Sequence, residues 1–247
     1  MTHPARVDDT ALLDGRVHLR QPVDGFRAAV DAVLLAAAVP ARPGEWVADL
    51  GCGTGAAALC VLARVPDAGA VGIERDPSAA VLARENAGLN GAALHVAVGD
   101  AAHAPLLNAS ADHVLANPPH QRPDTGRPPA PGRVAANVED GAGPAAWLAA
   151  MAALLRPRGT LTLIHRADRV DEVMRALPAD LGGVCLIPLW PRADQPAKRV
   201  LIQARRGVKT PAAVTPGVVL HDADGGDTPA ARAVLRDAAP LDTGGGR

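Results

Sequence analysis

Tyrosine is absent from this 247-residue chain, phenylalanine occurs once and tryptophan three times. Phe26, Trp46, Trp147 and Trp190 are therefore its only large rings, and each reads as core or pocket wall rather than surface decoration. Cysteine is equally sparse. Cys52, Cys60 and Cys185 are odd in number and contain no C-x-x-C pair, which argues against a disulfide framework or a zinc site and suits a reducing, cytoplasmic home. No apolar run reaches the roughly 18 residues of a membrane span. The start, MTHPARVDDT, lacks the basic-then-apolar pattern of a secretory signal. A surplus of one charge is missing too: the net charge is -1, so no global basic field announces nucleic acid.

What is present is alternation. A hydrophobic content of 48%, much of it alanine, is enough for one large α/β core. Residues 1–14 read as a loose leader, RVHLRQP as a short edge strand, and Phe26 to Val39 as a helix stopped by Pro40. From Glu45 onward strands and helices alternate through WVADL, AVGIE, ALHVAVGD, ADHVLANPPH, GTLTLIH, GVCLIPL and KRVLIQAR. Seven strands with helices between them predict a doubly wound, mainly parallel sheet with its ligands at the carboxyl ends of the strands. The expected division is an extension over 1–44, one catalytic domain over 45–210, and a tail over 211–247 with at most one weak helix. Pro118 to Arg133 is too long and proline-rich for a plain connection and reads as a lid or a partly disordered loop.

The chemistry begins at WVADL-GCGTG-AAALC. Strand, glycine turn and helix N-terminus follow one another, and Gly51, Gly53 and Gly55 allow a tight turn and let a ligand lie against the main chain. The spacing also fits a dinucleotide fingerprint, with Glu74 at the right distance for a ribose hydroxyl. Asp49 decides between them. A carboxylate at the mouth of the first strand repels a pyrophosphate and suits a cationic ligand, which favours S-adenosylmethionine, with its ammonium and sulfonium, over a nicotinamide cofactor. Asp49, Glu74, Asp100 and Asn117 all close strands on one rim. No metal site is foreseen.

Asn117-Pro118-Pro119-His120 supplies the second half. Two prolines after an asparagine fix the backbone, so that the Asn117 amide and the Pro118 carbonyl can take both hydrogens of a planar NH2 group. Drawn toward tetrahedral geometry, an amine otherwise delocalised into its ring becomes a nucleophile, and catalysis is positioning and electrostatics. Upstream, Gln21, Gly25, Phe26 and Arg27, with an Arg27–Asp31 pair four residues apart, form a candidate polar cluster in front of the glycine loop. Residues 151–210 hold 11 Lys and Arg against 5 Asp and Glu. Arg192, Lys198, Arg199, Arg205, Arg206 and Lys209 are accordingly candidate phosphate contacts, or ordinary solvated charges.

DLGCGTG with GIE, GD and LANPPH resembles the Rossmann-like, class I S-adenosylmethionine-dependent methyltransferases that modify an amino or amide nitrogen. GRVHLRQPVDGFRAAVDAVLLAAAV before the loop and PAKRVLIQARRG after it are similar to the bacterial tRNA1(Val) adenine-N6 methyltransferase family, over roughly residues 12–225. The resemblance implies that Asp49, Gly51, Gly53 and Gly55 hold the methionine end of the donor, Glu74 its ribose and Asp100 its adenine. It further implies that Asn117, Pro118, Pro119 and His120 serve the target amine, beside Gln21, Gly25, Phe26 and Arg27. Lys198 and Arg199 would face a tRNA substrate. His120 departs from the family, which usually carries Tyr or Phe there. The N-P-P motif leaves open a guanine N2 in ribosomal RNA, a protein glutamine or a DNA adenine as acceptor, and a non-catalytic donor-binding adaptor as another class. No sequence feature bears on oligomeric state.

Overall fold

The computed structural model describes residues 6–23, 27–119 and 143–241. Strands β1 (Val7–Leu12) and β2 (Val17–Pro22) form an antiparallel hairpin, and helix α1 (Val30–Ala38) follows it. The alternation then runs β3 (Trp46–Leu50), α2 (Ala56–Arg64), β4 (Gly69–Glu74), α3 (Pro77–Leu89), β5 (Leu94–Val98) and β6 (Ala111–Ala116). It resumes with α4 (Gly143–Leu154), β7 (Leu155–Arg166), α5 (Val170–Ala176), β8 (Leu181–Trp190) and β9 (Arg199–Arg206). Two-residue strands β10 (Ala213–Val214) and β11 (Val218–Val219) and helix α6 (Pro229–Leu235) complete it.

Seven strands form the body of one sheet in the order β5-β4-β3-β6-β7-β9-β8, and β10 and β11 pair along β8. β3 through β7 are parallel, whereas β9 runs against both its neighbours. The doubly wound, mainly parallel sheet expected from the sequence is therefore the architecture. From β3 the chain winds outward through β4 to β5, then returns to lay β6 on the other side of β3. That reversal opens a crevice beyond the carboxyl ends of β3 and β6, where sheets of this kind bind ligands.

Alternation along β3 assigns the two faces. Val47 belongs to the core packed with α1 and α2, and Ala48 and Leu50 to the core packed with α4 and α5. Among the described residues no aromatic is in the set of largest fully buried side chains; Leu and Ile occur in both layers and Met151 in the one packed with α4. Helix α1 is apolar nearly all round because α6 covers the side the sheet does not, and Leu241 N–H donates to Ala37 O at 2.8 Å. The segment 211–241, for which one weak helix was expected, carries that helix, capped by Thr228, and it is packed rather than loose.

The leader also departs from expectation. Residues 7–12 are a strand, because all six find a partner in β2, with Asp8 and Asp9 left exposed to solvent. The hairpin is held by two asparagines of α3. Asn86, fully buried, accepts from Arg20 N–H at 2.7 Å and donates to Arg20 O at 3.1 Å and Thr54 O at 2.9 Å. Asn90 accepts from His18 N–H at 2.8 Å and donates to His18 O at 2.7 Å. One helix face thus imitates the edge of a strand. No described helix is long and apolar enough to cross a membrane, and the three cysteines are buried.

Candidate active site

The glycine loop leaves β3 with Gly51, Gly53 and Gly55 all at positive φ, as side chains with a Cβ seldom are. Gly51 and Cys52 N–H groups both donate to Ile73 O, at 2.8 and 3.1 Å, which pins the loop to β4. The three glycines do different things. A Cβ on Gly51 would lie 2.8 Å from Cη2 of Trp147, and one on Gly55 would lie 3.0 Å from Leu94 Cδ2. Nothing lies within 4 Å of a Cβ on Gly53. The expectation of a ligand over Gly51 to Gly55 narrows accordingly: Gly53 is the open approach, and its neighbours make room for protein.

Asp49 ends below this loop, 2% exposed, its Oδ2 accepting from Ala58 N–H of α2 at 3.2 Å. Burial pushes its carboxyl up to about 7; the Ala58 hydrogen bond opposes this, and the nearby Glu74 adds to it. No basic side chain pairs with it among the described residues. A buried carboxylate without a cation suits a cationic ligand, which is the chemistry expected of the donor's methionine end. Glu74, half-buried, accepts from the N–H of Gly53 at 2.8 Å through one oxygen and from that of Asp76 at 2.8 Å through the other. It therefore fixes the one open glycine. Asp100, exposed beyond β5, accepts from Ala102 N–H at 3.0 Å and pairs with His103 at 3.3 Å, and these bonds, the Ala102 one first, hold its carboxyl below the usual range.

Register puts Asn117 beside the loop. Ala116 pairs with Leu50 on one side and Leu163 on the other, so Asn117 and Gly51 are each the next residue beyond a paired position. Asn117 and Pro119 are half-buried and Pro118 is buried. His120, Gly25 and Phe26 lie outside the described residues, as does most of the expected lid.

Two sequence expectations need correction. Gln21 is buried, with Nε2 donating to Thr10 Oγ1 at 2.9 Å and Ala28 O at 3.2 Å and Oε1 accepting from Ala28 N–H at 2.7 Å. Its amide is engaged in tying the hairpin to the chain before α1. Arg27 does not pair with Asp31. It reaches Asp8 at 2.9 Å, while Asp31 takes Arg199 at 3.0 Å. The basic set also divides. Arg199 pairs with Arg166 at the carboxyl rim, and the exposed Lys198 and Arg192 lie at the same end. Arg205 pairs with Thr160 and Arg206 with Leu181, at the opposite end, where Lys209 also lies against Gly182. A reversed β9 places its two basic ends on opposite sides of the molecule.

Sequence reasoning missed Asn86, Asn90 and the place of Trp147. The first two were visible as polar residues at i and i+4 of a helix; the third had only its rarity as a signal.

A tRNA1(Val) (adenine(37)-N6)-methyltransferase from Aeromonas hydrophila subsp. hydrophila is 32% identical over 203 residues, spanning 81% of this chain and 84% of that protein. The chain belongs to the tRNA1(Val) (adenine(37)-N6)-methyltransferase family. A second such relative, from Aeromonas salmonicida, is 28% identical over 211 residues, covering 84% of this chain and 88% of its own. The family model for the methyltransferase small domain matches residues 28–129, from before α1 to beyond the N-P-P motif. The crystal structure of a predicted O-methyltransferase from Agrobacterium tumefaciens superposes with a TM-score of 0.71 at 25% identity, covering 85% of this chain and 98% of that one. The scaffold is thus shared with a protein named for oxygen chemistry, and what sets this family apart lies in the site's residues.

Proposed function

We propose that this chain moves a methyl group from S-adenosylmethionine to N6 of adenine 37 in tRNA1(Val), the reaction for which its relatives are named. The observation that carries the reading is the register that sets Asn117 beside Gly51 at the switch point of the sheet. The residues also fit the donor. Asp49 offers a buried negative charge to its ammonium and sulfonium, Gly53 an unobstructed backbone, and Glu74 a carboxylate for its ribose hydroxyls. Asp100 would accept from its adenine amine.

When bound, the donor would supply a methyl activated by its sulfonium: as the acceptor nitrogen bonds to that carbon the S–C bond would break, S-adenosylhomocysteine would leave as a neutral thioether, and the nitrogen would give up one proton to water. The protein's part is to prepare that nitrogen. The Asn117 amide oxygen and the Pro118 carbonyl accept its two N–H bonds, draw it toward tetrahedral geometry and localise its lone pair, so no strong base is needed. Pro119 holds the pair in place, and His120 flanks the base. Lys198, Arg192 and Arg199 serve the RNA backbone on the rim, with Arg199 oriented by Asp31. Gln21 and Arg27 act by fixing the hairpin, with Gly25 and Phe26 between it and α1. We further propose a cytoplasmic protein, as a tRNA substrate requires, and the division 1–44, 45–210 and 211–247. Among the described residues no group of three or more His, Cys, Asp or Glu could hold a metal ion, and the proposed chemistry uses none.

The test is incubation with methyl-labelled donor and separate pools of total tRNA, protein and DNA, followed by nucleoside analysis. Label in tRNA as N6-methyladenosine supports the reading. Label in protein glutamine, guanine or DNA overturns the acceptor, and donor binding with no transfer to any pool makes the chain an adaptor.

A further inference from the structure

We infer that Trp147 is the aromatic platform on which the acceptor base stacks; this deepens the adenine-methylation reading above and rests on it. Recognition of an unpaired base calls for an aromatic face beside the groups that hold its edge. Among the described residues the large rings are the three tryptophans. Trp46 begins β3, at the end of the sheet away from the crevice, and stacks on His95 with ring centroids 6.1 Å apart. Trp190 ends β8, separated from β6 by β9 and β7, and its indole N–H donates to Pro216 O at 3.0 Å. Trp147 is different on both counts.

It stands in the first half of α4, whose Leu148 and Met151 are fully buried against the sheet. The helix is therefore a fixed support. The indole reaches Gly51 with its six-membered ring, Cη2, Cζ3 and Cζ2 all lying against the place a Cβ would occupy. Gly51 and Asn117 each follow the last paired position of β3 and β6, so the ring meets the loop at the level of the groups proposed to grip the target amine. The indole is half-buried at the margin of the core, packed against it on one side and still reached by solvent on the other. Gly51 lacks a side chain, on this account, so that the ring can enter the crevice between the donor's loop and the N-P-P turn.

The experiment uses the full chain and an RNA stem-loop carrying the tRNA1(Val) anticodon loop. Trp147→Ala should raise the KM for the stem-loop roughly 10- to 100-fold, the usual range for losing one stacking partner, while the Kd for S-adenosylmethionine stays within about twofold. Trp147→Phe should recover most of the loss. In a Trp46→Phe/Trp190→Phe background, Trp147 emission should be quenched by the stem-loop and not by the same RNA with the target base removed. An unchanged KM, or a loss of donor affinity matching the loss of acceptor affinity, would reduce Trp147 to packing of the glycine loop. Should Trp147→Ala fail to fold, the single-tryptophan emission decides. Methyl transfer by the unaltered chain checks the underlying reading separately: with transfer to the stem-loop intact and emission unmoved, the stacking inference alone falls.

Discussion

Asp49→Asn should make the empty protein more stable at pH 8 and a much poorer binder of its donor. The wild-type carboxyl sits at about 7 instead of its ordinary 3.8, chiefly through burial. A group whose pKa is raised on folding holds its proton in the native state while the unfolded chain has lost it. Between about pH 4 and 7 this one residue therefore lowers stability by about 1.4 kcal/mol for each unit of rising pH, and above 7 the full cost of about 4 kcal/mol is in place. Asparagine keeps the volume and an oxygen for the Ala58 N–H but does not titrate. Its new amide hydrogens lack partners at a cost of about 1–3 kcal/mol, so the net gain at pH 8 is on the order of 1–3 kcal/mol and vanishes or reverses near pH 5. Chemical denaturation of both proteins at the two pH values measures this. Donor affinity moves the other way. A charge pair near 4 Å at an effective dielectric constant of about 20 is worth about 4 kcal/mol, so calorimetry at pH 8 should find binding weakened up to about a thousandfold. Wild-type donor affinity should rise about tenfold per pH unit up to 7 and then level, because the carboxylate must be ionised to meet the cation. Parallel stability–pH curves for the two proteins, or equal donor affinity, would refute the electrostatic role given to Asp49.

Asn117→Ala should abolish transfer by a factor of at least about a hundred while leaving the Kd for S-adenosylmethionine nearly unchanged, as single-turnover and binding assays on one preparation can compare. Replacing Lys198 or Arg192 by Ala should weaken RNA binding and lower the slope of log K against log salt by about one each, whereas Lys209→Ala, at the opposite end of the sheet, should leave that slope alone. Asn86→Ala removes three hydrogen bonds from a fully buried position and should cost about 3 kcal/mol in denaturant titrations; a loss under 1 kcal/mol would mean the hairpin is held by other contacts.

The sheet was legible because its signals are local: apolar runs of strand length, each closed by a polar residue, with helical spacing between them. Asp49, Glu74, Asp100 and Asn117 were expected for the same reason, each lying at or next to a strand end. What sequence could not disclose was how side chains are shared out. Gln21 reads as a free polar group until Ala28 is seen to occupy both ends of its amide. GCGTG presents three equal glycines, and only the fold reveals that one accommodates a tryptophan 96 positions later, one a leucine, and one nothing. The basic run from Arg192 to Lys209 looks continuous in one dimension but is divided by a strand running backwards. β1 was hidden by Asp8 and Asp9, which suggest a solvated leader and stay exposed while their backbone pairs with β2.

The asparagine clamp dictates an order of events during synthesis. Two strands paired only with each other are marginal in water, and the backbone of β2 is anchored by residues 86 and 90, which leave the ribosome some seventy positions later. The hairpin must therefore wait, unanchored, until α3 exists. A nascent chain stalled before Pro77 should leave residues 7–22 open to protease, and one extended past Asn90 with room to fold should protect them.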